Sequence, residues 1–121
     1  VSMEGYRKLM QESDVVVNAA LKEGAVTVSF DTMASGKPLI CLDTTGYTRY
    51  FTNEYAILIP RVGRQEVVRR MADAMLRLTD PVQREQLGRK ALEASSRFSW
   101  ENHGKEIRDA ITAAYTSYST K

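Results

Sequence analysis

This chain is poor in the residues that most often announce chemistry. Among 121 residues it has one cysteine, one histidine, one tryptophan and three prolines. Cys41 stands inside an apolar run, so no disulfide framework can form, and a reducing cytoplasm fits. His103 lies four residues after a helix-capping serine on a partly polar turn. It has no sequence partner that would make it a general base, and it is read as structural or exposed. No His/Cys/Asp cluster has metal-ligand spacing, and neither a G-x-S-x-G nor a P-loop pattern occurs. No apolar stretch approaches the length of a membrane span, and no signal peptide opens the chain. Charge of one sign is lacking too: 17 bases against 15 acids leave +2, too little to argue for nucleic acid. There is no repeat, low-complexity tract or linker, and no initiating methionine. Val1 begins beside an expected helix, which suggests a fragment of a longer protein.

What is present is an ordinary α/β composition. With 43% apolar and 26% charged residues, 121 residues make one domain with a core. Tyr6, Leu9 and Met10 recur at helical spacing and predict a helix over 3–12. Residues 14–19 (DVVVNA) are β-branched and nearly all apolar, as in a parallel strand covered on both faces. Residues 39–42 and 55–59 predict two further strands, with a short helical turn after Tyr47. Val68, Met71, Ala72, Met75 and Leu78 make one apolar stripe on a helix over 65–78. Asp80, Pro81 and Gln83 read as a capping box that starts a new helix, with Leu87, Ala91, Ala94 and Phe98 inward. Ser99 caps a last helix on which Trp100, Ile107, Ala110, Ile111, Ala114 and Tyr118 recur and are expected to pack in part. Strand alternating with helix gives a Rossmann-like half domain: a parallel sheet of about three strands flanked by helices.

The most informative stretch is residues 23–42, EGAVTVSFDTMASGKPLICL. Val26, Thr27 and Val28 in a row favour a strand. Against that, Val26, Phe30, Met33 and Ala34 share a helical face, and Gly36 with Pro38 is a helix stop. The spacing therefore predicts a helix over 25–35. Its N-terminal N–H groups and dipole would form an anion site just after Gly24. Glu23 would guard the mouth of that site. Asp31 would lie eight residues on, about 12 Å at ~1.5 Å per residue. Carboxylates at both ends suit hydroxyl groups, because ionised carboxylates only accept hydrogen bonds.

Residues 23–40 resemble the E-x7-E region of the group 1 (family 4) retaining glycosyltransferases, in the donor-binding domain of the GT-B fold. That pattern reads E-G-F-G, hydrophobics, then E-A-M-A-x-G-x-P-V-I; Glu23, Gly24, Met33, Ala34, Gly36, Pro38 and Ile40 match it. Ser13 to Val17 (SDVVV) is similar to the family's A-D-V-F-V strand, and Arg97 to Glu101 to its R-F-S-W-E opening of the last helix. The resemblance implies that Glu23 faces the donor hexose, that Gly24, Ala25, Val26 and Thr27 cradle the sugar and diphosphate, and that Asp31 accepts from ribose hydroxyls. Thr45 and Gly46, with Thr44, would line the loop after the second strand, at the carboxyl edge where open α/β sheets bind ligands. Asn18 and Lys22 are minor candidates. Two departures stand out: Asp31 replaces the usual Glu, shorter by one methylene, and Ala25-Val26 replace Phe-Gly.

The resemblance implies the donor-binding part of a retaining glycosyltransferase that takes a nucleotide diphosphate sugar, UDP- or GDP-linked, with no further cofactor. An N-terminal acceptor-binding domain of the same full-length chain would be the partner, and this part alone is expected to be inactive. The location expected is cytoplasmic, with at most peripheral membrane contact. Two rivals stay open. A nucleotide-sugar epimerase would need an acid and a histidine placed for proton abstraction. A scaffold module with a decayed donor site would accord with Ala25, Val26 and Asp31.

Overall fold

The computed structural model describes residues 1–22, 26–44 and 47–119. Its elements alternate as the sequence predicts: α1 (Met3–Glu12), β1 (Val16–Asn18), α2 (Thr27–Ala34), β2 (Leu39–Leu42), α3 (Tyr47–Tyr50), β3 (Ile57–Ile59), α4 (Arg64–Arg77), α5 (Pro81–Ser95) and α6 (Trp100–Ser119). A 3-10 turn, Ser96–Phe98, joins the last two helices. The strands form one parallel sheet in the order β1-β2-β3, with Val16 opposite Leu39 and Ile40 opposite Ile57. This is the expected Rossmann-like half domain.

β2 shows why the sheet needs helices on both sides. All four of its residues are buried. Successive side chains point to opposite faces. Leu39 and Cys41 enter one core cluster with Met33 of α2, Phe51, Tyr55, and Ala91 and Ala94 of α5. Ile40 and Leu42 enter another with Ile59, Ala74 and Leu78 from the α4 side, and Leu87. β1, by contrast, is an edge strand. It spans only three residues and leaves Val17 39% exposed, so the expectation of a strand covered on both faces is corrected there. β3 is also shorter than predicted, because Tyr55 and Ala56 belong to the turn before it. The Tyr55 and Ala56 N–H groups both bond the Thr52 carbonyl, while the Tyr55 phenol donates to the Tyr50 carbonyl at 2.6 Å.

α2 is a helix despite its β-branched start, and tertiary packing decides it. It ends in a Schellman arrangement: the Gly36 N–H bonds the Met33 carbonyl, the Lys37 N–H bonds the Thr32 carbonyl, and Gly36 holds φ at +65°. Its buried face differs from the expected one. Met33, Ser29 and Thr32 are buried, Val26 and Phe30 pack at the margin, and Ala34 is exposed. A buried threonine is tolerable because its hydroxyl donates to the Val28 carbonyl at 2.6 Å.

The α4 stripe is likewise rotated. Val67, Met71, Ala74 and Leu78 face the sheet, whereas Val68 and Met75 are 61% and 46% exposed. Met71 and Leu78 belong to both stripes, and the small Ala74 faces the sheet where the sequence reading put Met75. Arg69 and Arg70 grip Glu66 on the exposed side, and hold its carboxyl down to about 2. At α5 the Asp80 side chain accepts from the Val82 N–H, but Gln83 donates to the Asp80 carboxylate rather than to its backbone. Proline at the first helical position and the cap itself are as predicted.

Candidate functional site

In a parallel sheet every strand ends at the same edge, so the loops after β1 and β2 lie together at the carboxyl edge. α2 leaves the first of these loops. Its N-cap residue is Val26, which supplies no side-chain hydrogen bond to the first turn. Valine is among the poorest N-caps, and an uncapped turn keeps unsatisfied N–H donors and the positive end of the dipole. The Val26 backbone sits at φ −81°, a value any residue adopts, and its side chain packs against the core cluster. Val26 therefore points its bulk inward.

Asn18, at the end of β1, fixes the approach to this turn. Its Oδ1 accepts from the Ala20 N–H at 3.1 Å, and its Nδ2 donates to Ser29 Oγ in the first turn of α2 at 3.4 Å. Lys22 and Thr27 are exposed. From the β2 side comes Thr44, whose N–H bonds the Leu42 carbonyl. Thr44 is only 5% exposed, yet its Oγ1 meets no hydrogen-bond partner among the described residues. A buried hydroxyl without a partner costs roughly 1–3 kcal/mol, and such groups in native proteins often mark a ligand or water position. The neighbouring Asp43 N–H reaches across to the Ile59 carbonyl at 2.8 Å and anchors the loop.

An aromatic cluster joins the elements that follow the two loops. Phe30 of α2 meets Tyr50 of α3, Phe51 and Phe98 at centroid distances of 5.6, 5.3 and 5.1 Å. Such pairs contribute about 0.5–1.5 kcal/mol each beyond the area they bury. They tie Tyr50 and Phe51, after β2, to α2.

Asp31 lies elsewhere than its sequence spacing alone suggests. It is half-buried on the side of α2 that faces α1, where Tyr6 Oη donates to its Oδ2 at 2.8 Å. Burial first, then the Asp31 hydrogen bond and charge, push the Tyr6 phenol up to about 12. Beside this pair runs an open groove of about 410 Å3, lined by Met3, Tyr6, Arg7 and Met10 from α1 and by Asp31 and Ser35 from α2, among others. Ligand clefts typically measure ~300–1,000 Å3.

Of the other expected site residues, Glu23, Gly24, Ala25, Thr45 and Gly46 lie outside the described residues. The helix begins at Thr27 rather than residue 25, so the ~12 Å helical span from Glu23 to Asp31 is not the relevant measure. His103 is 58% exposed on α6, with Glu106 at 4.0 Å and the Trp100 ring nearby. Trp100 itself is 89% exposed and enters neither core cluster. Sequence reasoning missed Tyr6, which carried no signal beyond helical periodicity. No described helix is long and apolar enough to cross a membrane.

The family model described as glycosyl transferase-like matches residues 1–109. No curated protein matches the chain significantly.

Proposed function

Because this chain belongs to the glycosyl transferase-like family, we propose that it is the donor-binding part of a retaining GT-B glycosyltransferase of group 1 (family 4). The donor is a nucleotide diphosphate sugar, UDP- or GDP-linked. The observation that carries this reading is the carboxyl edge of the sheet. There an uncapped helix N-terminus and the buried Thr44 hydroxyl, without a partner among the described residues, come from adjacent loops.

In this reading the N–H groups from Gly24 to Thr27 hold the sugar and diphosphate, since a helix N-terminus favours anions. Thr44 Oγ1, with Thr45 and Gly46, closes the far side and gains its missing hydrogen bond from the donor. Asp31 accepts from the ribose. Retaining transfer builds oxocarbenium-like positive charge on the departing sugar, and the Glu23 carboxylate stabilises it. The catalyst is the full-length protein, in which an N-terminal acceptor-binding domain completes the cleft. The exposed stripe of α6, with Trp100 89%, Ile111 65% and Tyr118 82% exposed, gives that domain an apolar surface to cover.

Turnover of UDP- and GDP-hexoses by the full-length protein tests the chemistry. The product keeps the donor's anomeric configuration by NMR, and Glu23→Ala lowers kcat by about 100-fold or more, as loss of a transition-state partner does. An inverted product overturns the retaining assignment; undiminished Glu23→Ala activity overturns the role of Glu23.

A further inference from the structure

We infer that Tyr6 is a positioning residue for the nucleotide: its phenol holds Asp31 so that the carboxylate meets a ribose, and the α1–α2 groove is where a ribonucleotide is told from a deoxyribonucleotide. This rests on the proposed donor-binding function.

Asp31 is half-buried, and one of its oxygens, Oδ2, accepts the Tyr6 hydroxyl at 2.8 Å across two helices. An ionised carboxylate has about four acceptor positions, so this bond fixes the group without exhausting it. Among the described residues no donor reaches Oδ1, which keeps its lone pairs for the two vicinal hydroxyls of a ribose, each of which needs an acceptor. The phenol suits this task because burial and the adjacent Asp31 charge keep it protonated far above neutral pH, so it always donates.

The surroundings fit a nucleoside. α1 and α2 lead into the amino ends of β1 and β2, so their first turns face the carboxyl edge where the diphosphate is placed. The groove between them offers the exposed Met3 as polarisable apolar surface for a base, and Asp31 as its acidic acceptor. Tyr6 explains why an aspartate serves where a longer acid would reach further. A short carboxylate with a fixed partner loses less side-chain freedom on binding, and immobilising one mobile side chain weakens binding by about three- to tenfold.

Calorimetric titration of the full-length protein with uridine and guanosine diphosphates and their 2′-deoxy forms tests this. The native protein binds one ribonucleotide about tenfold or more tighter than its deoxy form. Tyr6→Phe loses about three- to tenfold for the ribonucleotide and little for the deoxy form, so the ratio collapses; Asp31→Asn collapses it as well. A merely structural tyrosine would weaken both forms equally, and that result overturns the inference. Tyr6→Leu, which also lacks the donor, gives the same reading if Tyr6→Phe does not fold. A ratio lost in Asp31→Asn but intact in Tyr6→Phe and Tyr6→Leu overturns the role of Tyr6 alone. Absence of binding by the native protein overturns the donor reading together with this one.

Discussion

A methyl group at Gly88 would collide with the backbone carbonyl oxygen of Gly36, and it would also touch Pro38. α5 can lie against the end of α2 only because this position has no Cβ. Gly88→Ala gains about 1 kcal/mol of helix propensity, but a backbone clash that parts two packed elements costs more, roughly 1–3 kcal/mol. Denaturant unfolding of Gly88→Ala is therefore expected to show a lower midpoint at unchanged slope; an unchanged or higher midpoint would show that the two elements do not meet this closely. Gly36 and Gly88 also mark what a sequence discloses at this scale. Gly36 was legible, because a Gly-x-Pro after a helical face is a stop signal with a local cause. Gly88 was not, since a glycine inside a helix reveals nothing of a backbone some fifty positions away. The Tyr6–Asp31 bond was hidden for the same reason, its partners being 25 residues apart.

Element existence followed from periodicity, and element facing did not. β2 was readable as buried on both faces because four apolar residues in a row leave no polar side to expose. α4 was apolar over too wide an arc for its wheel to choose a face, and contact with the sheet chose Val67 and Ala74 over Val68 and Met75. α2 was torn between β-branched propensity and helical spacing, and its packing on β1, β2 and α5 resolved it. α6 is amphipathic, yet every described residue of it is exposed. If another domain of the full-length protein covers this stripe, Ile111→Glu places a charge in an apolar contact and lowers Tm by several degrees. If the stripe stays in solvent, the same change stays within about 0.5 kcal/mol, as surface substitutions do.

For the molecule as a whole, parallel topology has the largest functional consequence. It brings loops 26 residues apart, at Asn18 and Thr44, to one edge. The fold alone would not name a chemistry, since this architecture serves many. Under the proposed function, the uncapped α2 turn and the Thr44 hydroxyl, which has no partner among the described residues, are the features that an anionic, hydroxyl-bearing ligand would meet there. Glu23, Gly24, Ala25, Thr45 and Gly46 rest on the motif alone, since they lie outside the described residues. The most direct measurement is a thermal-shift panel of the full-length protein against uridine, guanosine and adenosine diphosphate sugars. Stabilisation by one of them, about 2.7 kcal/mol at a hundredfold excess over Kd and lost in Asp31→Ala, is the predicted result. No stabilisation by any of them, from a folded protein, would contradict donor binding and identify the chain as a scaffold module on a glycosyltransferase fold.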